Sequence, residues 1–246
     1  MAYRLDAFLS HRGFGSRTQV RSLIRRGRVT LAGVVSHDQG EHVAEREVRV
    51  DGTVVAVGVF SATLLLHKPI GYACSHDERE APLLEELIPK EFRHLALEPA
   101  GRLDRDTSGL LVVTSEGELI HQLTNPRRHL PKRYRIGYRG TLSSHAVERC
   151  AKGITLEGDP RPTLPAVLTL EEREADLERA TLILEEGRYH QVRRMIAALG
   201  GEVVTLHRDR IGSLDLPGDL SPGQARTIAD AELELLISGP ISESGH

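Results

Sequence analysis

The residues best suited to chemistry are two carboxylates, Asp104 and Asp106, in the segment Gly101-Arg102-Leu103-Asp104-Arg105-Asp106-Thr107-Ser108-Gly109. Arginines flank them, glycines bound the segment, and an apolar run over 110–113 follows at once. A short loop that ends on a rigid strand is a good mount for a reactive group. A carboxylate held there can serve as nucleophile or base, or can steady positive charge that develops on a sugar carbon. The same residues could equally form a turn tied by Asp–Arg pairs, since surface ion pairs are common and worth little. Joint action of the two acids as a glycoside hydrolase is disfavoured. Such enzymes place their carboxyls roughly 5 Å or more apart across the sugar, and positions with a single residue between them do not easily flank it.

His190 with His207, and Cys74 with His76, are the pairs a metal could use. Paired CxxC or HExxH spacing is missing, so no metal site is expected. No GxGxxG or Walker loop occurs, so no nucleotide cofactor is expected either. Basic residues are more telling. The net charge is −3, but charge is segregated along the chain. Residues 1–28 hold seven arginines against the single acid Asp6, and residues 127–139 hold Arg127, Arg128, Lys132, Arg133, Arg135 and Arg139 with no acid. Segregation of this kind allows local positive fields on a mildly acidic chain, a footprint of nucleic-acid binding.

Positioning these groups requires a core. The chain has 246 residues, 39% of them apolar, enough for a medium domain and a small one. No apolar run reaches the roughly 20 residues that span a bilayer. The N-terminus does not read as a signal peptide. Two distant cysteines suit a reducing compartment. A cytoplasmic protein without membrane contact is expected.

Residues 1–59 read as the small unit. Leu5, Phe8 and Leu9 recur at helical spacing, and Gly13 and Gly15 break that helix. Ser16 with Gln19 makes a capping-box pattern for a second helix, whose apolar stripe is Val20, Leu23 and Ile24. Arg17, Arg21, Arg25 and Arg28 share its other face. Short strands are predicted at 29–31, 34–35, 48–50 and 54–57, the last two joined by Asp51-Gly52, a hairpin signal.

Residues 58–62 read as a linker, and 63–240 as the larger unit, with a mobile tail beyond it. Strands are predicted at 64–66, 110–114, 134–138, 167–170, 180–184 and 203–207. Helices are predicted at 118–123, 144–152, 191–199 and 230–235. The helices alternate too irregularly for a doubly wound sheet. The expected class is α+β, with mixed and antiparallel sheets flanked by helices around a central cleft.

The opening RLDAFL, the stretch SRTQVRSLIRRGRVTLAG and the hairpin VRVDGTVV together resemble the S4 RNA-binding domain. GRLDRDTSGLLVVTSEG resembles, along its whole length, the signature loop of the pseudouridine synthases of the small-subunit-rRNA type. KRYRI at 132–136, GRYHQVRRM at 187–195 and the later VTLHR and RIG stretches resemble further motifs of that family, and the likeness covers nearly the whole chain. The resemblance implies isomerisation of a uridine to pseudouridine with no cofactor. It makes Asp104 the catalytic carboxylate, Arg193 its salt-bridge partner, and Tyr134 and Leu206 the walls that hold the flipped uracil. Asp106 is left a structural part in the loop. Arg17, Arg21, Arg25 and Arg28 would lie on RNA phosphates. Lys68, Arg102, Lys132, Arg188, His190, Gln191 and Arg194 would be RNA or pocket-wall contacts. The implied partner of a monomeric enzyme is ribosomal RNA, either 16S rRNA at uridine 516 or a small-subunit assembly intermediate. A large-subunit rRNA target, or a non-catalytic S4 RNA-binding protein, are the alternatives.

Overall fold

The computed structural model describes residues 4–12, 14–43, 47–55, 61–174 and 176–238. Most of the predicted linker, the helix breaker Gly13, the end of the strand at 54–57 and the tail from 239 lie outside those residues. Two compact units result. One is Met1–Ala62 together with Lys90–Ala96, and the other is Thr63–Pro89 together with Leu97–His246.

In the first unit, helices α1 (Leu5–His11) and α2 (Arg17–Arg25) cover a small sheet. Its strands are β1 (Val29–Leu31), β2 (Val34–Val35), β3 (Val48–Val50) and β4 (Thr53–Val55), in the order β2-β1-β3-β4. The capping box forms at α2: Gln19 N–H donates to Ser16 Oγ at 3.4 Å, and Ser16 N–H donates to Gln19 Oε1 at 2.8 Å. Burial of Leu5, Phe8, Leu9, Val20 and Ile24 against Val29, Val48 and Val50 makes the core. Turning those apolar residues inward leaves Arg17, Arg21, Arg25 and Arg28 exposed. Arg21 pairs with Asp6 at 3.3 Å, and Arg28 pairs with Asp51.

The second unit is built on one mixed sheet. Its strands are β5 (Thr63–Lys68), β6 (Glu98–Pro99), β7 (Ser108–Thr114), β8 (Lys132–Gly140), β9 (Val167–Glu174), β10 (Leu177–Leu184), β11 (Gly201–Ile211), β12 (Leu214–Asp215) and β13 (Ala225–Thr227). The main order is β13-β5-β7-β11-β8-β10-β9, with β6 on β7 and β12 on β11. Helix α3 (Gly117–Thr124) and helix α6 (Asp230–Ile237) bury Leu119, Leu123 and Leu236 with Leu65, Leu110 and Val112 in one cluster. Helix α4 (Ala146–Lys152) and helix α5 (Gln191–Ala198) bury Cys150, Met195 and Ile196 with Ile136, Leu182 and Leu206 in another. The α+β expectation holds. Strands β9 and β10 run longer than the predicted 167–170 and 180–184. The extra length carries Glu171, Glu172 and Glu174, whose exposure on an edge strand hides the apolar alternation that marks a strand.

The halves of the sheet meet at β7 and β11, the one parallel strand pairing of this sheet among the described residues, with His207 beside Ser108 and Arg208 beside Gly109. The other strand pairings in this sheet are antiparallel. At this seam the backbones approach so closely that a Cβ on Gly109 would lie 2.1 Å from the Arg208 carbonyl oxygen, and Gly109 itself has φ of 121°. Only glycine fits there. The loop carrying Asp104 and Asp106 enters β7 immediately before this seam, so the sheet core fixes its exit point.

Candidate active site

A basin of about 450 Å³ opens at the end of this seam. Its floor and walls come from the 101–107 loop, from Lys132 and Tyr134 on β8, from the segment leading into α5, and from Leu206 and Arg208 on β11. Tyr134 stands opposite Arg208 in the β8–β11 register. Leu206, two residues before Arg208, therefore shares its face, as strand alternation requires. Leu206 is buried and Tyr134 half-buried. The basin thus brings together Asp104, Tyr134, Leu206 and Arg193, four residues that sequence reading had grouped from separate motifs.

Asp104 has a side chain 35% exposed, open to a ligand yet anchored from behind. The anchor is Lys68. This lysine is fully buried, and its Nζ donates to the carbonyls of Pro69 (3.1 Å), Asp104 (3.1 Å) and Thr107 (2.8 Å). Burial lowers the Lys68 pKa. The expectation that Lys68 touches RNA is corrected: a side chain with no exposed surface and its ammonium committed to three carbonyls holds the 104–107 turn instead.

The side chain expected to pair with Asp104 lies elsewhere. Arg193 pairs with the Asp106 carboxylate at 2.7 Å, and its guanidinium donates to the Asp106 carbonyl (3.4 Å) and the Val203 carbonyl (3.3 Å). The ring nitrogen Nε2 of His190 is what lies near Asp104 Oδ1, at 3.5 Å. Asp104 and Asp106 are two positions apart on the loop, and His190 and Arg193 are three apart at the start of α5. The two pairs therefore run side by side, and the more exposed Asp106 takes the longer side chain. Asp106 is a partner for Arg193 rather than a local turn-former.

Three more expected RNA contacts are committed internally. Arg188 donates to Asp159 (3.1 Å), Glu186 (3.0 Å) and the carbonyls of Arg161 and Pro162. Arg194 donates to Asp159 (2.9 Å) and the Glu157 carbonyl (2.7 Å). Gln191 is buried; its Nε2 donates to Glu186 at 2.7 Å, and its Oε1 accepts from Arg188 N–H at 2.8 Å. Arg188 and Arg194 meet at the Asp159 carboxylate, and Arg188 and Gln191 meet at the Glu186 carboxylate. They staple that segment to the turn at 157–162, and Arg194 and Arg188 hold the Asp159 carboxyl below its usual range. His190 and Arg193 face the loop. Arg102 stays exposed on the rim.

Sequence reading passed over Arg208. It is 2% exposed, its Nε donates to the Leu110 carbonyl at 3.0 Å, and its Nη2 is buried without a hydrogen-bond partner. Nearby Lys132 donates to the Leu130 carbonyl at 3.0 Å, and burial, with the Arg208 charge, pushes its pKa down to about 8. A buried arginine on an alternating strand has no sequence signal of its own.

Lys132 gives a signed pH expectation. Its charge is lost in the folded protein as pH rises through about 8, while the unfolded chain keeps its proton to 10.5. Between those values the unfolded state binds the extra proton, so this group makes the fold more stable as pH rises. Turnover is expected to fall over the same rise, because the basin loses a cation. Urea melts and initial rates from pH 7 to 10 check this: Lys132→Arg should flatten both trends.

Comparison with known proteins matches this architecture to a two-part class. Residues 4–45 match the S4 domain, and residues 62–198 match the RNA pseudouridylate synthase model. The chain is 38% identical over 231 residues to a ribosomal small subunit pseudouridine synthase A of Yersinia pestis, covering 94% of this chain and 96% of the relative. It is 36% identical over 235 residues to the protein of the same name from Escherichia coli (strain K12), covering 95% and 100%. A crystal structure of a pseudouridylate synthase aligns with a TM-score of 0.65 at 34% identity, covering 95% of this chain and 99% of that one. The chain belongs to the RNA pseudouridylate synthase family, and it is a pseudouridine synthase.

Among the described residues, no helix is long and apolar enough to cross a membrane.

Proposed function

We propose that this protein converts one uridine of 16S rRNA, at position 516, to pseudouridine in the cytoplasm, with Asp104 as the catalytic carboxylate. The observation that carries the reading is Asp104 itself. It is a half-exposed acid on a loop pinned from behind by Lys68, facing a basin walled by Tyr134 and Leu206.

The chemistry follows from those groups. A uridine must leave its stack to enter the basin, and an aromatic with an aliphatic wall suits a flipped base. Breaking N1–C1′ makes C1′ electron-poor and leaves the electron pair on uracil. The Asp104 carboxylate either attacks C1′ or removes the 2′-proton, and both routes keep the ribose fragment in place. Arg208 and Lys132 hold positive potential beside the departing uracil anion, where a pre-set charge costs no reorganisation. The base then turns and C5 bonds to C1′, expelling the carboxylate from C1′ on the first route or with Asp104 returning the proton to C2′ on the second; the proton on C5 is then lost and N1 gains one. Reactant and product are isomers, so the reaction consumes no co-substrate.

The exposed arginine face of α2 would contact RNA phosphates, giving affinity and salt dependence without sequence readout. The target assignment draws on the small-subunit relatives. It is tested by mapping pseudouridine in rRNA from a strain lacking this gene. The expected result is loss of the 16S modification alone, restored by the wild-type gene and not by Asp104→Asn. An intact 16S site with a missing 23S site would reassign the substrate.

A further inference from the structure

Tyr189 stands out at the mouth of the basin. It is the most exposed large apolar side chain among those described, at 78%. Exposure of a lone tyrosine on a loose loop would mean little. Here the ring is built into position. It stacks on His190 with centroids 3.9 Å apart and planes 19° apart. His190 adopts the left-handed conformation, φ 48° and ψ 33°, a backbone state that a residue with a side chain holds only where its surroundings impose it. The residues on either side are fixed: Arg188 is tied to Asp159, Glu186 and two carbonyls, and Arg194 Nη1 donates to the Tyr189 carbonyl at 3.3 Å. One face of the ring is thus covered by imidazole, and exposure leaves ring surface free for a partner. The imidazole beneath it is the one that lies 3.5 Å from Asp104 Oδ1.

We propose that Tyr189 is a stacking platform for the unpaired RNA base next to the target uridine, and that the Tyr189–His190 stack relays that base's position to the catalytic carboxylate. This rests on the reading of the basin as the uridine site. A base is the occupant that fits. Flipping one nucleotide out of a stack leaves its neighbour with an uncovered π-face, and aromatic side chains take such faces in single-stranded RNA. The exposed guanidinium of Arg102, on the rim of the same basin, offers the matching contact for the backbone that connects the two nucleotides. Arg127 and Arg128, exposed on the turn that begins with the basin-lining Pro126, extend that positive rim.

The chain contains no tryptophan, so Tyr189→Trp puts a sole indole reporter on the platform. Indole emission should drop on adding single-stranded oligouridylate and stay unchanged on adding an abasic ribose-phosphate oligomer of equal length and charge. With a 16S rRNA transcript, Tyr189→Ala should raise KM about tenfold, with a smaller change in kcat, and Tyr189→Phe should recover the wild-type KM because the ring alone stacks. Equal emission changes with both oligomers, or an unaltered KM in Tyr189→Ala, would overturn the platform. That failure is separable from failure of the site itself. If Asp104→Asn is inactive while Tyr189→Ala is indifferent, only the platform is lost. If Asp104→Asn stays active, the basin reading falls, and the platform falls with it.

Discussion

Asp104→Asn is expected to lower pseudouridine formation by roughly a thousandfold or more while changing RNA affinity little. The substitution keeps the shape of the side chain and the backbone carbonyl that Lys68 grips, so the loop should stay in place. What it removes is a negative charge and a basic oxygen at the point where the proposed mechanism puts the ribose. An amide neither attacks C1′ nor takes a proton, whichever route the carboxylate follows. Binding should persist, because a chain that relies on arginines for RNA loses an anion here, not a cation. Single-turnover rates and filter-binding affinities, measured on the same 16S transcript, separate the two effects. The neighbouring Asp106→Asn should be milder. It frees Arg193 from its 2.7 Å partner but leaves the reacting group untouched.

The second large effect belongs to a residue that never meets substrate. Lys68→Met is expected to destabilise the fold by about 1–3 kcal/mol, because it strands the buried Thr107 carbonyl and removes the ammonium from the part-buried carbonyls of Pro69 and Asp104, the last of which keeps the Thr107 N–H as a donor. An opposing term exists: burial lowers the Lys68 pKa, so the charged ammonium itself sits at a cost that methionine avoids. The loss of all three ammonium contacts, with the Thr107 carbonyl left buried, outweighs that relief. Turnover should fall further than stability alone explains. With the anchor gone, the Asp104 backbone can drift, and a shift of about 1 Å in a reacting group can cost around a hundredfold. Urea melts give the first number. Rates at a temperature where the variant is still folded give the second.

These two residues also mark what was legible in the sequence. Asp104, Tyr134 and Leu206 are singled out through the resemblance of their segments to family motifs, whereas the residues alone leave Asp104 open as part of an Asp–Arg turn. The α2 capping box is legible from the residues themselves and appears as written. Lys68 is not legible. A lysine before Pro69 looks the same whether its ammonium meets a phosphate or a set of backbone carbonyls, and only the fold places it under the 104–107 turn. Arg188, Gln191 and Arg194 misled in the same way. Their partner Asp159 sits in a remote turn, and a carboxylate takes a guanidinium as readily as a phosphate does. Arg193 was correctly brought to the basin but assigned to Asp104. Two carboxylates two positions apart offer competing partners, and spacing alone does not rank them. Arg208 left no pattern at all, since its burial follows from the close β7–β11 pairing at Gly109.

As proposed, this chain moves uracil from N1 to C5 attachment on 16S rRNA through Asp104. Because C5 must surrender its hydrogen, transcripts made with [5-3H]uridine report the reaction directly as tritium released to water. Wild-type protein should release tritium from the 16S transcript in proportion to transcript, release none from a 23S transcript, and fall to background as Asp104→Asn. Release from 23S alone, or undiminished release by Asp104→Asn, would contradict it.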